Sequence, residues 1–478
     1  MPKQNDEDTI LLRLATLAKR HTLFIKDNER RAYGKIEIDG IKHIYPLRSS
    51  MYVNWLSALF FATNKKIAST NLLDNAIQYL EGLSLFEAKI EKVGLRVLGD
   101  KDSIEIDLGN DDWTSVQINK DGWKIDEHVG HFYRSSGMGA LPTPFSHKNR
   151  SIEFLSVIMG LGGTKEEKLI IAWLLGCFMP NGPFPLLVLQ GEQGSGKSNL
   201  ASMLRSLVDP TNTDKTTLPS SERDFYVQGF NNYMLCYDNQ RTLRKHQSDW
   251  LCRMSTGGGY STRKLYSNHD QESFSMTRPM MLNGISHIVD QPDLIDRSLI
   301  INLKTISKDK RKAEGDVRDL FNAMRPAIFG RICDGLVAIL RSEEKDPEDL
   351  PRMADFARFV AKAETEYEWP QGDLILAMNE SRKEALDQLN EYDTFLSMIV
   401  ELSEDHKDHE FVFLGTPTEL FKYLVEKLPS KASRSVFPES PASLSKRLNM
   451  LKPVLREKGI GVEDRRSNGK RLKKLYWL

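Results

Sequence analysis

The alternation of apolar and polar positions divides the chain into a series of short elements. Residues 1–30 are charged and carry helical periodicity. Lys35–Ile38 and Ile41–Tyr45 flank Asp39-Gly40, the sequence of a two-residue hairpin turn. Helical stretches follow over about 50–61 and 70–83, then strand-like runs over 87–98, 103–108 and 113–119 and a turn at Asp121-Gly122. Together they predict an α+β module over residues 1–150. Thr164 and Glu167 form a capping box that opens a helix to about Phe178. After Pro180-Asn181-Gly182-Pro183, the run Leu186-Leu187-Val188-Leu189 suits a buried strand. Strands and helices then alternate, which predicts an α/β core over 151–310. Residues 316–342 and 351–387 read as charged helices, a lid or collar over 311–390. In 391–478 a helix (about 393–403), a strand (Phe411–Leu414), helices opening at Thr416 and at Ser440-Pro441, and two strands around Ser467-Asn468-Gly469 predict a winged helix.

Composition and charge narrow the class. A chain of 478 residues with 40% hydrophobic and 28% charged positions has the make-up of a soluble, multidomain globular protein. Its longest apolar run, Leu169–Met179, is too short to span a bilayer, and Met1–Asp8 is too polar for a secretory signal. No membrane partner is expected. Cys177, Cys236, Cys252 and Cys333 lack metal or redox spacing and read as buried free thiols of a cytoplasmic protein. Net charge is zero but uneven: residues 431–478 hold 13 Lys/Arg and 4 Asp/Glu, a local +9. A basic module on an acidic body predicts a polyanion partner. In a winged helix the third helix (Lys446, Arg447, Lys452, Arg456) would enter a major groove. The wing (Arg465, Arg466, Lys470, Arg471, Lys473, Lys474) would follow the phosphates. A solvated basic tail, or a winged helix used for protein contacts, are the plainer readings of the same residues.

The chemistry centres on Gly191-Glu192-Gln193-Gly194-Ser195-Gly196-Lys197-Ser198, a complete phosphate-binding loop between a strand and a helix. Its glycines let the backbone approach phosphates, and the amides and helix N-terminus face them. Lys197 would reach the β- and γ-phosphates, and the Ser198 hydroxyl would meet Mg²⁺. ATP and Mg²⁺ are therefore the expected ligands. Tyr233–Asp238 is a hydrophobic strand ending in an acid, 41 residues after Lys197, where a carboxylate could support the metal. Residues 253–275 read as a helix end, a glycine hinge and a basic β-hairpin, and Arg278–Gly284 as a strand containing Asn283.

This order, within 107 residues from Gly191 to Arg297, resembles the superfamily 3 and MCM-like AAA+ helicases of phages, plasmids and genomic islands. Pro351–Phe356 is similar to the lid segment of mobile-element ATPases. The resemblance implies an AAA+ core in a hexameric ring that unwinds DNA at the expense of ATP during replication of a phage or mobile element. It implies that Asn283 orients the attacking water and that Arg297 is an arginine finger for the neighbouring subunit's γ-phosphate. It also implies that Arg352 is a second sensor of nucleotide, and that Arg263, Lys264 and His269 face single-stranded DNA in the channel. Expected partners are single-stranded and forked DNA, duplex origin DNA and further copies of the chain. One departure stands out. Asn239 occupies the place where many relatives carry a glutamate base, and Glu192 and Glu222 are the available substitutes. The alternatives are an ATP-regulated origin-binding initiator without unwinding, and a defence ATPase that senses nucleic acid.

Overall fold

The structure is a computed structural model. It describes residues 2–128, 130–145, 160–213, 215–263, 271–285, 288–307, 312–409, 411–428, 437–467 and 469–478, and their side chains except at 2–8, 260–263, 271–274 and 390–392.

A four-stranded parallel sheet organises the middle of the chain. Its spatial order is Leu235–Gln240, Met280–Gly284, Leu186–Gln190, Ser298–Asn302. The two inner strands are buried at every residue, as parallel strands covered on both faces must be. Their side chains part with period two. Leu187, Leu189 and Met281 enter one core; Leu186, Val188, Met280 and Leu282 enter the other. The first core is closed by Lys165–Gly176, Lys197–Val208, Glu314–Arg341 and Ala354–Ala361. The second is closed by Glu222–Asn231 and Lys245–Thr256. The helix at 165 starts where the sequence predicts: Thr164 Oγ1 accepts from Glu167 N at 3.3 Å.

Towards the N-terminus, Thr22–Lys26, Ala32–Ile38, Ile41–Pro46 and Lys89–Ile90 form a sheet. It is packed by Pro2–His21, Ser50–Asn64 and Thr70–Glu87 around Leu14, Tyr52, Leu56 and Leu80. Asp39 and Gly40 take φ of 52° and 81°, as the expected hairpin turn requires. A second, antiparallel sheet spans Val97–Gly99, Ser103–Asp107, Thr114–Asn119 and Gly122–Glu127. Its Ile104, Ile106, Val116 and Ile118 join the first core of the parallel sheet. Trp123 Nε1 donates to Asp334 Oδ1 on the long helix at 2.8 Å. One hydrophobic interior therefore includes residues on both sides of the boundary expected at residue 150, and the long helix 314–341 is part of it.

The C-terminal module contains Thr394–Asp405, Pro417–Glu426 and Pro441–Glu457. Thr416 and Ser440 are the caps, in capping boxes with Glu419 and Ser443. Its sheet has three strands: Phe413–Gly415 pairs with Lys470–Trp477, which pairs with Ile460–Ser467. Leu444, Leu448, Leu451 and Leu455 continue the second core of the parallel sheet through Leu386 and Leu389 of helix Asp373–Tyr392. The four cysteines are buried. Among the described residues no helix is long and apolar enough to cross a membrane.

Candidate functional site

The glycine-rich loop leaves strand 186–190 and enters helix 197–208 at the C-terminal edge of the sheet. A Cβ at Gly191 would lie 2.3 Å from the Leu303 carbonyl oxygen, and Gly194 and Gly196 hold φ of 85° and 80°. Glycine alone takes these places without strain. Gly196 caps the helix, so the free amides of the first turn and the positive end of the dipole face the loop. Lys197 Nζ donates to the carbonyls of Gly191 (2.8 Å) and Glu192 (2.7 Å) and to the buried Ser195 Oγ (3.2 Å). Phosphate oxygens can replace these acceptors. Burial holds the Lys197 pKa below its ordinary value, against the opposing pull of Asp238.

Ser198 Oγ donates to Asp238 Oδ1 at 3.0 Å. A hydroxyl beside a carboxylate is a hard-oxygen pair that fits Mg²⁺. The register between strands 235–240 and 280–284 slips after Tyr237, and Asn239 takes φ of 52°. Asparagine tolerates this left-handed conformation better than most residues. The slip turns Asn239 to the surface, while its amide donates to Asn283 Oδ1 at 2.8 Å. Asn283 is buried, with its Nδ2 unpartnered. Gln193, Gly194, Lys197, Ser198, Asp238, Asn239 and Asn283 border one cavity of about 500 Å³. Asp238 is the one carboxylate among the described residues that line it. Neither expected substitute base is there. Glu192 Oε2 accepts from Thr305 Oγ1 at 3.2 Å, and Glu222 pairs with Arg253.

Arg297 stands at the opposite edge of the sheet. Its carbonyl accepts from Leu186 N at 2.9 Å, which places it at the start of strand 186–190. The length of that strand, about 13 Å at the usual rise, separates it from its own phosphate loop. Arg297 Nη1 donates to the Asp293 carbonyl (2.8 Å) and pairs with Asp293 Oδ1 (2.5 Å). Arg352 pairs with the same Oδ1 (3.0 Å) and with Asp296 (3.4 Å). Arg352, expected as a second sensor of nucleotide, is held by these acidic partners at the Arg297 edge. Asp293 does not stand out in the sequence, although its spacing of four from Arg297 is a signal for a side-chain pair.

The hairpin forms from Gly259–Arg263 and Gln271–Ser275 after a helix that ends at Gly257, φ 91°. The Arg263 side chain, Lys264 and His269 lie outside the described residues. In the C-terminal module the residues expected to meet DNA differ in their partners and exposure. Lys446 is exposed and lines a cleft that also holds Asp249, Asp290 and Arg352. Arg447 pairs with Asp393, and Lys452 with Asp464 at 3.3 Å. Arg465 pairs with Glu463 at 3.3 Å, whereas Arg466, Lys470 and Arg471 are exposed near the tip of the wing. Arg466 and Arg471 sit directly opposite each other across the two strands, a like-charge pair that weakens the hairpin.

Fold and site thus define a protein with a glycine-rich phosphate-type loop on a doubly covered parallel sheet, joined to a basic C-terminal module. Residues 152–391 match the family described as actinomycete integrative conjugative element replication protein, and residues 395–477 the C-terminal domain of that replication protein. The chain belongs to the replication-protein family of actinomycete integrative conjugative elements. No curated protein matches it in sequence. Among solved structures, two of the apo NrS-1 C-terminal region are 11% identical, cover 97% of this chain and 98% of theirs, and have TM-scores of 0.43 and 0.41. A JCV helicase bound to a small molecule is 13% identical over 49% of this chain and 71% of its own, with a TM-score of 0.24.

Proposed function

We propose that the chain is an ATP-dependent DNA helicase with an AAA+ core, acting as a ring of identical copies during replication of its element. The observation that carries this reading is the separation of two cationic groups by the length of the sheet. Lys197 and Ser198 lie at one edge and Arg297 at the other. Copies arranged around a ring would set the Arg297 edge of one against the phosphate loop of the next. Lys197 and the first-turn amides would then hold the triphosphate, with Ser198 and Asp238 holding Mg²⁺, which neutralises phosphate charge when bound. Asn283 would orient water, and a neighbour's Arg297 would stabilise the charge that develops as the γ-phosphate leaves. The hairpin 259–275 would carry this movement to a DNA strand. The wing would rest on phosphates, where an anion over Arg466 and Arg471 relieves their repulsion. A winged-helix reading of the module makes this contact through the wing, and the exposed Lys446 of the third helix can join it.

A second reading has its own support. Asn239 cannot accept a proton near neutral pH, and Asp238 alone supplies a carboxylate to the described walls of the cavity. Slow hydrolysis suits an initiator that uses ATP to control assembly at an origin. Strand displacement on a forked duplex, measured for the full chain and for Lys197→Ala, separates the two. The helicase reading expects displacement by the wild type, none by the variant, and DNA binding by both. Sequence-specific duplex binding without displacement by the wild type would replace it with the initiator.

A further inference from the structure

We propose that Asp293 is the positioning residue of the Arg297 edge, a carboxylate that aligns Arg297 and Arg352 as a pair toward the nucleotide of an adjacent copy. This rests on the reading of Arg297 as a group acting across the boundary between copies.

The geometry is specific. One oxygen, Asp293 Oδ1, lies 2.5 Å from Arg297 Nη1 and 3.0 Å from Arg352 Nη2. The Asp293 carbonyl takes a second hold on Arg297 Nη1 at 2.8 Å. Both contacts with Asp293 use the same nitrogen of Arg297, which leaves the other end of the guanidinium fork for a phosphate oxygen. Two guanidinium groups this close repel each other, and the shared carboxylate offsets that repulsion. Burial raises the Asp293 pKa, but Arg297 and Arg352 outweigh it and keep the group ionised below the usual carboxylate range.

Stability of the fold does not account for the cluster. The Asp293 side chain is 55% exposed, and ion pairs at such sites contribute little to folding. It lies at the surface from which Arg297 would have to reach a neighbour. Asp296 makes different contacts and joins Arg352 (3.4 Å) to Arg382 (2.6 Å), which pairs with Glu457 of the C-terminal module at 2.5 Å. Asp293 is thus the acid that connects the finger to the rest of this chain of ion pairs.

The test uses the full chain carrying Asp293→Asn, with Asp293→Ala beside it. The melting temperature should stay within about 2 °C of wild type, as for a surface pair. Affinity for a fluorescent non-hydrolysable ATP analogue should be unchanged, because the variant's own phosphate loop is intact. The kcat for ATP should fall about tenfold to a hundredfold with KM unaltered, the scale of a displaced catalytic group. Mixing Asp293→Asn with Lys197→Ala should restore turnover, since an intact loop then meets an intact Arg297 edge. A parallel mixture of Arg297→Ala with Lys197→Ala tests the underlying reading by itself: failure to complement removes the trans role of Arg297. If that mixture complements while Asp293→Asn keeps full kcat, loses analogue binding, or is not rescued by mixing, the role of Asp293 is overturned and that of Arg297 stands.

Discussion

Asp209→Ala should destabilise the protein by an amount that the structure lets us work out. Asp209 follows the phosphate-loop helix, and Arg96 immediately precedes the strand Val97–Gly99 of the second antiparallel sheet; both are essentially inaccessible to solvent. Arg96 Nε and Nη2 donate to Asp209 Oδ1 at 3.1 and 2.9 Å. Arg96 also donates to the carbonyls of Asp107 (3.1 Å) and Gly139 (2.9 Å). Asp209 Oδ2 accepts from Met234 N at 3.0 Å, at the entry to the strand that carries Asp238. Alanine removes both N–H contacts of the guanidinium with a carboxylate and the acceptor of a buried amide. Taking one partner from a buried pair costs about 3–5 kcal/mol. The two carbonyls that Arg96 keeps put the expected loss near the lower end, about 3 kcal/mol. Arg96→Met with Asp209→Leu leaves no charge unpaired and should recover at least half of that loss. Urea unfolding followed by tryptophan fluorescence reads both, because Trp173 lies in the same core. A loss below about 1 kcal/mol for Asp209→Ala, the scale of a surface pair, would refute the reasoning. So would a double variant that loses as much as the two single variants together.

Acid should act through Asp107, which is buried and hydrogen-bonded by Arg134 and His128. Burial alone would raise its pKa, but His128, Arg134 and Arg96 hold it below the usual carboxylate range. The unfolded chain therefore takes up this proton first. The stabilisation is complete above an ordinary aspartate pKa of about 3.9 and is lost as pH falls below it. Urea midpoints between about pH 6 and pH 3 should drop less steeply for Asp107→Asn than for wild type; equal slopes would count against this. Arg466→Ala and Arg471→Ala should each weaken duplex binding and reduce its salt slope by about one, without lowering the melting temperature, since either relieves a like-charge pair. An unchanged slope would remove the wing from the DNA contact. Gly191→Ala drives a Cβ to 2.3 Å from the Leu303 oxygen and should reduce affinity for an ATP analogue by at least about tenfold. Unaltered affinity would show that the loop does not need its present path.

The features legible in the chain are those whose energetics are local. The Asp39-Gly40 turn, the caps at Thr164, Thr416 and Ser440, and the glycines of residues 191–196 each answer to partners a few positions away, so their residue types suffice to specify them. The runs of apolar residues at 186–189 and 280–282 likewise announce strands buried on both sides. Folding in three dimensions decided the remainder. It set Arg352 beside Asp293, far along the chain. It matched Arg447 with the buried Asp393 and Lys452 with Asp464, and left Arg466, Lys470 and Arg471 exposed near the wing tip. It joined strands at 103–119 to the interior of the parallel sheet across an expected domain boundary. Each of these outcomes depends on which faces of distant elements meet, and hence on which charges lose water and need a partner. Residue spacing carries no record of that, because desolvation acts on neighbours in space.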